Sequence, residues 1–108
     1  MRLGVAVVRG RSMLPTYRDG DRLLVLHGGR VVPGRVHVVD LPPGPHGPRP
    51  VAVKRISRRD GGRWWLDSDN PREGVDSWTL GAIEPVAVRA RVLLRLPRRS
   101  FRDLVHHR

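Results

Sequence analysis

Short apolar runs separated by turn residues make up most of the chain. Val and Leu, together with other strand-favouring residues, fill the runs, and Gly, Pro and Asp collect between them. No helical period persists beyond three turns, and no repeat is visible. The pattern predicts an all-β fold, a single compact domain built of mixed antiparallel sheets. The predicted strands are residues 3–9, 22–27, 36–41, 51–58, 63–67 and 86–96.

The segments between these strands differ in character. Asp60-Gly61-Gly62 is a hairpin turn. Residues 42–50 hold five prolines and are predicted to form a surface loop. Residues 10–16 form a short polar turn, in which Pro15 suits a tight turn or the first turn of a short helix. Residues 68–77 are polar and rich in turn formers.

Alternation within the strands predicts which side chains share a face. In the strand over 51–58, a period of two puts Ala52, Lys54 and Ile56 on one face, opposite Val51, Val53 and Arg55. Trp64 and Trp65 place one indole on each face of their strand, one for the core and one to cover the sheet or line a peptide groove. In the last strand, one face is predicted to hold Val86, Val88, Ala90, Val92 and Leu94.

Length and composition set the outer limits of the interpretation. A chain of 108 residues suits one domain, expected over residues 1–96, followed by a basic tail over 97–108 with a frayed helix over 101–105. Without cysteine, neither a disulfide nor a thiolate metal site is available. No apolar run approaches the roughly 20 residues of a membrane span or a signal-peptide core, so we expect a soluble, cytoplasmic protein with no transmembrane anchor.

The formal net charge of +11 invites a nucleic-acid interpretation. The arginines are scattered along the chain, however, and no aromatic RNA-binding strand motif appears. We therefore expect no specific nucleic-acid partner, and a basic nucleic-acid-binding β-barrel is kept as the less favoured alternative. Of the 21 basic residues, 20 are arginine, and Lys54 is the one lysine.

Ser12 is the first candidate for chemistry. A serine hydroxyl becomes a nucleophile when a base takes its proton and backbone N–H groups face the developing oxyanion. A tight turn that follows Gly10 offers an exposed side chain and free N–H groups. The alternative is that Ser12 only caps a short helix beginning at Met13.

Lys54 is the candidate base. Burial lowers the pKa of a lysine by disfavouring the ammonium, and an inward lysine among Ala52 and Ile56 is of the kind that loses its proton. Arginine does not deprotonate in proteins, so a base role explains the use of lysine at this one position. The alternative is an edge-strand lysine that points to water.

Three blocks of sequence resemble the signal peptidase I family, in the order in which that family carries them. Gly10-Arg11-Ser12-Met13-Leu14-Pro15-Thr16 with the strand from Gly20 is similar to its serine motif. Val53-Lys54-Arg55-Ile56 is similar to its lysine motif. Asp69-Asn70-Pro71 with Asp76-Ser77 and Gly81 is similar to its last box. Small unanchored members, such as the proteases that mature nickel-type superoxide dismutase, resemble the chain in length and in the Trp-rich strand.

The resemblance implies a serine endopeptidase of the signal peptidase catalytic fold that removes a leader or propeptide from a protein precursor. Ser12 is implied as nucleophile and as backbone oxyanion donor, and Lys54 as general base. The precursor is implied to bind as an extended peptide, with small side chains before the cut. Met13 and Pro15 are the groove candidates, and no cofactor is implied. Asp69, Asp76 and Ser77 are implied as supports, although Asp69 and Asp76 can equally be ordinary turn residues.

Three positions depart from the family pattern. The family usually has Gly where this chain has Ser68. It often has a Ser that orients the lysine where this chain has Gly74. It also often has an Arg that pairs with the aspartate where this chain has Trp78 beside Asp76. We expect either Ser77 or a water to orient the lysine in this chain. Otherwise the chain is a non-catalytic, peptide-binding relative.

Histidine offers two further candidates. The five histidines show no metal-ligand spacing apart from the pair at 106–107, so no dedicated metal site is expected. His37 is kept open as an alternative base for Ser12. The number of subunits is left open by the sequence.

Overall fold

The structure is a computed structural model that describes residues 1–97. It contains one antiparallel sheet of six strands, which confirms the predicted all-β fold, although as one sheet rather than several. The part of the predicted tail from residue 98 onward, with its helix over 101–105 and its histidine pair, lies outside the described residues. The strands are β1 (Arg2–Val7), β2 (Arg22–His27), β3 (Val36–Val39), β4 (Ala52–Asp60), β5 (Arg63–Asp67) and β6 (Val88–Arg95). Their order in the sheet is β1-β2-β6-β3-β4-β5.

Two apolar clusters form the core. The larger cluster lies beneath the β1–β2 connection and holds Val8, Met13, Leu23, Val25, Val36, Val38, Ala90 and Val92. The smaller lies beneath the β4–β5 hairpin and holds Val39, Ile56, Trp64, Leu66 and Ile83. Alternating strand residues supply both clusters, because successive side chains leave a strand on opposite faces. Trp64 is the buried indole of the predicted pair, and Trp65 lies half-buried on the other face.

The last strand differs from the prediction in two places. Val86 lies in a 3₁₀ turn over Pro85–Ala87 rather than in β6, and its side chain is exposed. Pro85 fits the start of such a turn because it has no N–H to leave unpaired. The pairing of β2 with β6 also shifts register between Leu24 and Val25. This irregularity turns Leu94 outward while Val92 stays buried, since an extra residue in one strand reverses the faces.

The segment after β5 contains a short helix that the sequence pattern did not predict. Helix α1 spans Ser77–Leu80, and Asp76 caps its first turn by accepting a hydrogen bond from the Trp78 N–H. Four residues are too few to show a hydrophobic period, so an Asp followed by three helix-compatible residues was the one signal available. In residues 1–97, no helix is long and apolar enough to cross a membrane.

Candidate active site

The segment between β1 and β2 holds Ser12 at the edge of the larger core cluster. Backbone hydrogen bonds between Val8 and both Gly20 and Asp21, each 2.8 Å, close the base of this segment. Met13 is 1 % exposed and packs into the core, which fixes the residue next to the serine. Within residues 1–97, neither the Ser12 hydroxyl nor its backbone N–H has a hydrogen-bond partner. Both groups are therefore available to a bound substrate.

Lys54 points inward from β4, as the alternation predicted. It is 3 % exposed, and Ile56 beside it is fully buried. Burial lowers the pKa of Lys54 below its ordinary value of 10.5, and the charge of Asp76 opposes that shift in part. No described residue forms an ion pair with Lys54. The alternative of a solvent-facing edge lysine is excluded by this burial.

The two candidate side chains both approach Gly74. A Cβ placed on Gly74 would lie 2.5 Å from the Cβ of Ser12, 2.9 Å from Lys54 Nζ and 3.4 Å from Ser12 Oγ. Ser12 Oγ and Lys54 Nζ therefore both border the small space beside Gly74. Among the described residues, no direct hydrogen bond joins the two. Catalytic hydrogen bonds are often long in free enzymes and tighten when substrate binds.

A cleft of about 300 Å³ runs over both side chains. Its walls come from the end of β1, the start of β4 and the loop that precedes β4. Met13 lines the cleft from below, but Pro15 is exposed and is not part of its lining. The choice of Pro15 as a groove residue stays a prediction. The other apolar lining residues are Val7, Val8, Leu41, Pro50, Val51, Ala52, Val53 and Val75.

Asp69 ties the serine segment to the lysine strand. Its carboxylate accepts two hydrogen bonds from the Arg55 guanidinium, at 2.8 and 2.7 Å, and a third from the Thr16 hydroxyl. The Arg55 hydrogen bonds are the main reason that the pKa of Asp69 lies below its ordinary value of 3.8. This one carboxylate therefore links the segment that carries Ser12 and Thr16 to the strand that carries Lys54 and Arg55.

Asn70 adds two further links to the serine segment. Its backbone N–H donates to the Ser12 carbonyl at 2.8 Å, and its side-chain amide donates to the Arg11 carbonyl at 3.1 Å. Asn70 and Thr16 lie within the sequence motifs, but no role was predicted for either residue. Their position inside two blocks that turn out to be adjacent was the available signal.

Asp76 lies on the other side of Lys54 and is held by backbone N–H groups. It accepts from the Ser68 N–H at 3.2 Å and from the Trp78 N–H at 3.1 Å. The Trp78 side chain donates its indole N–H to Asp67 at 2.9 Å. Two backbone hydrogen bonds thus fix the Asp76 carboxylate.

Ser68, and not Ser77, contacts the lysine. Lys54 Nζ donates to Ser68 Oγ at 2.9 Å, and Ser68 is 8 % exposed. The Ser77 hydroxyl is buried and accepts the Leu66 N–H at 2.7 Å, so it supports the end of β5 instead. The expectation that Ser77 orients Lys54 is therefore wrong in this structure.

His37 lies directly opposite Lys54 in the pairing of β3 with β4, but its ring is engaged by backbone groups. It is 1 % exposed, and its ring nitrogens are engaged by the Arg35 carbonyl at 2.9 Å and the Val32 N–H at 3.2 Å. Burial lowers its pKa below 6.5. It does not line the cleft, so the alternative of a histidine base for Ser12 is not supported. Residues 1–97 contain no cluster of three His, Asp or Glu side chains that could hold a metal ion.

One family model matches the chain over residues 2–93, and its description is Peptidase S24-like. The matched span includes Ser12, Lys54 and the whole connection from Ser68 to Asp76. No curated protein matches the chain.

Proposed function

The chain belongs to the Peptidase S24-like family, and on that premise we propose that it is a serine endopeptidase with Ser12 as nucleophile and Lys54 as general base. The observation that carries the proposal is the burial of the chain's single lysine beside an unbonded serine hydroxyl at the floor of a cleft. A structural lysine gains nothing from such a place, because burying an unpaired ammonium is costly.

The proposed reaction has two stages. Neutral Lys54 takes the Ser12 proton as Oγ attacks the scissile carbonyl carbon, and the resulting ammonium gives that proton to the leaving amine. An acyl-enzyme ester remains on Ser12. Lys54, neutral again, takes a proton from water as the water oxygen attacks the ester, and it gives that proton to Ser12 Oγ as the acid product leaves. The steps use side chains and water and call on no cofactor.

The Ser12 backbone N–H is proposed to stabilise the oxyanion of both tetrahedral intermediates. It has no hydrogen-bond partner within residues 1–97, and Asn70 holds the Ser12 carbonyl on the other side of the residue. An N–H donor fixed before the reaction stabilises developing charge without reorganisation. Asn70 and Asp69 thereby support the nucleophile without touching substrate.

We propose that the substrate is a protein precursor whose leader or propeptide enters the cleft as an extended segment. The resemblance described above supports this class, and it makes a nickel-type superoxide dismutase precursor the first one to test. The apolar walls of the cleft suit small side chains next to the scissile bond.

The test is incubation of the purified protein with that precursor, with the cut read by intact mass spectrometry. We expect one new N-terminus with the native protein and none with Ser12→Ala or Lys54→Arg, while circular dichroism shows the fold unchanged. Full activity of Lys54→Arg would remove the base role. Binding of the precursor without cleavage by the native protein would favour the alternative of a non-catalytic peptide-binding relative.

A further inference from the structure

We propose that Ser68 is the positioning residue for Lys54, and that Gly74 provides the open space across which the lysine faces Ser12. The inference rests on the proposed function, since positioning matters only if Lys54 is the base. It assigns a role to a contact that is independent of substrate and is present in the free protein.

The register of the β4–β5 hairpin brings Ser68 to the lysine. Arg55 lies directly opposite Asp67 in this antiparallel pair, so the preceding Lys54 and the following Ser68 are cross-strand neighbours. Their side chains meet at 2.9 Å, where both residues are buried. The contact is thus fixed by strand pairing rather than by a flexible loop.

Ser68 is itself held in place. Its backbone N–H donates to Asp76 at 3.2 Å, and Asp76 is in turn fixed by the Trp78 N–H at the start of α1. The hydroxyl therefore approaches Lys54 from a constrained backbone. A constrained partner matters because a lysine side chain has four rotatable bonds and aims poorly by itself.

Two other positions near the lysine do not provide this hydroxyl. The Ser77 oxygen already accepts the Leu66 N–H. At Gly74, φ is +82° and any Cβ would lie 2.5 Å from the Ser12 Cβ, so a side chain at this position would displace the nucleophile. Ser68 is the serine that can hold Lys54 while leaving Ser12 in place.

The hydrogen bond fixes where the base can act. A neutral amine carries two N–H groups and one lone pair. When one N–H is donated to Ser68, the lone pair is restricted to the remaining directions, which include the space beside Gly74 and Ser12. Loss of the Ser68 oxygen leaves that direction unspecified and the buried N–H without an acceptor.

Because the chain has a single lysine, the test can be read at one atom. Protein grown with ¹³Cε-lysine gives one lysine signal, whose pH titration reports Lys54 alone. In Ser68→Ala we expect the Lys54 pKa to fall, because the ammonium loses its acceptor. Ser77→Ala and the control Ser57→Ala, whose hydroxyl contacts the Trp65 carbonyl, should leave the lysine titration unchanged. Should Ser68→Ala fail to fold, Ser68→Cys keeps the volume with a weaker acceptor and is expected to shift the titration in the same direction.

A second readout uses a fluorogenic peptide mixture with one cleavable bond per peptide. We expect Ser68→Ala to lower kcat by about 10²-fold at unchanged KM and to move the pH profile, since a small misplacement of a base has effects of that size. An unchanged titration in Ser68→Ala, or a shift in Ser77→Ala alone, would overturn the inference. If the native protein cleaves neither these peptides nor the precursor while the titration shifts as expected, the proposed function fails, and the Ser68–Lys54 contact stands without a catalytic role. If Ser12→Ala abolishes cleavage but Ser68→Ala retains native kcat, the function stands and the positioning fails.

Discussion

Two neighbouring basic residues of β4, Lys54 and Arg55, lie on opposite faces of the strand and have different surroundings. On the outer face, Arg55 is partly exposed, pairs with both oxygens of Asp69 and donates to the Gly34 carbonyl at 2.7 Å. On the inner face, Lys54 is 3 % exposed and has a hydroxyl for a partner instead of a carboxylate. Adjacent residues of one strand therefore carry a guanidinium that is paired with a carboxylate and an amine whose charged form is destabilised by burial.

The pKa values follow this difference. The Asp69 hydrogen bond raises the pKa of Arg55, whereas burial lowers that of Lys54. An outward ion pair of this kind holds two segments together, and an inward lysine without a carboxylate is prepared to give up its proton. In the proposed mechanism, β4 supplies both the base, Lys54, and a latch, the Arg55–Asp69 ion pair, that links this strand to the segment of Ser12.

The largest expected effect comes from replacing Lys54, the proposed base. Lys54→Met should lower kcat by about 10²–10⁴-fold, the usual contribution of a general base. The fold should persist, because an apolar chain of similar length replaces a buried amine. Peptide cleavage and a thermal melt at one pH check both expectations. Activity near the native level in Lys54→Met would contradict the proposed base.

The same variant has a pH signature in stability. The lowered pKa of Lys54 means that the unfolded chain binds the proton more tightly than the folded one, so native stability rises with pH from the folded pKa up to about 10.5. Below the folded pKa the full penalty applies. We expect the stability difference between the native protein and Lys54→Met to change across that window. Urea unfolding at several pH values measures it, and a constant difference would refute the lowered pKa.

Filling the space beside Gly74, which Ser12 and Lys54 both border, should have the next largest effect. Gly74→Ala forces a Cβ against Ser12 at a positive φ, so we expect about 1–3 kcal/mol of destabilisation and a strong loss of activity. Gly20→Ala is the matched control, because its φ of +89° brings similar backbone strain with nothing within 4 Å of the new atom. Equal activity in the two variants would show that the space beside Gly74 is not needed.

Breaking the Arg55–Asp69 latch should lower the stability of the fold more than the cleavage rate. Asp69→Asn removes the charge that Arg55 and Thr16 share, with an expected cost of about 1–3 kcal/mol. Since the folded pKa of Asp69 is lowered, its contribution is complete above about 3.8 and is lost as pH falls through the folded value. Denaturant unfolding at neutral and acidic pH should show the variant and the native protein converging in acid. A difference that persists unchanged in acid would contradict this role.

The smallest effect should come from an exposed ion pair that does not link parts of the candidate site. Arg89 and Asp40 pair at 2.8 Å on the surface, with side chains 55 % and 41 % exposed. Arg89→Ala should change stability by no more than about 1 kcal/mol, because exposed pairs are screened by solvent. Its cleavage rate and lysine titration should equal those of the native protein. A large change in either would show that the distinction between latch and ordinary surface pair is mistaken.

Much of this arrangement was predictable from local pattern. The inward face of β4 followed from its period of two, and the β4–β5 hairpin followed from Asp60-Gly61-Gly62. The sequence also singled out Ser12 and Lys54, because a nucleophilic serine after a glycine turn and a lone lysine are local features. Such features depend on residues close together in the chain.

The parts that were missed depend on residues distant in the chain. Whether Ser68 or Ser77 reaches Lys54 is set by the hairpin register, and an error of one residue exchanges the two faces of a strand. The displacement of Val86 into a 3₁₀ turn and the outward turn of Leu94 follow from Pro85 and from a register shift against β2. Pattern alone does not contain that pairing. The boundary between the domain and its basic tail stays a prediction.

The most direct measurement is the pH titration of the ¹³Cε-lysine signal in the native protein. That single resonance reports whether the inner face of β4 holds a destabilised ammonium beside Ser12. The account predicts a midpoint below 10.5, with Ser12→Ala leaving the midpoint below that value. A midpoint at or above 10.5 would mean that Lys54 keeps its proton as an ordinary lysine does, and the dyad would lose its base.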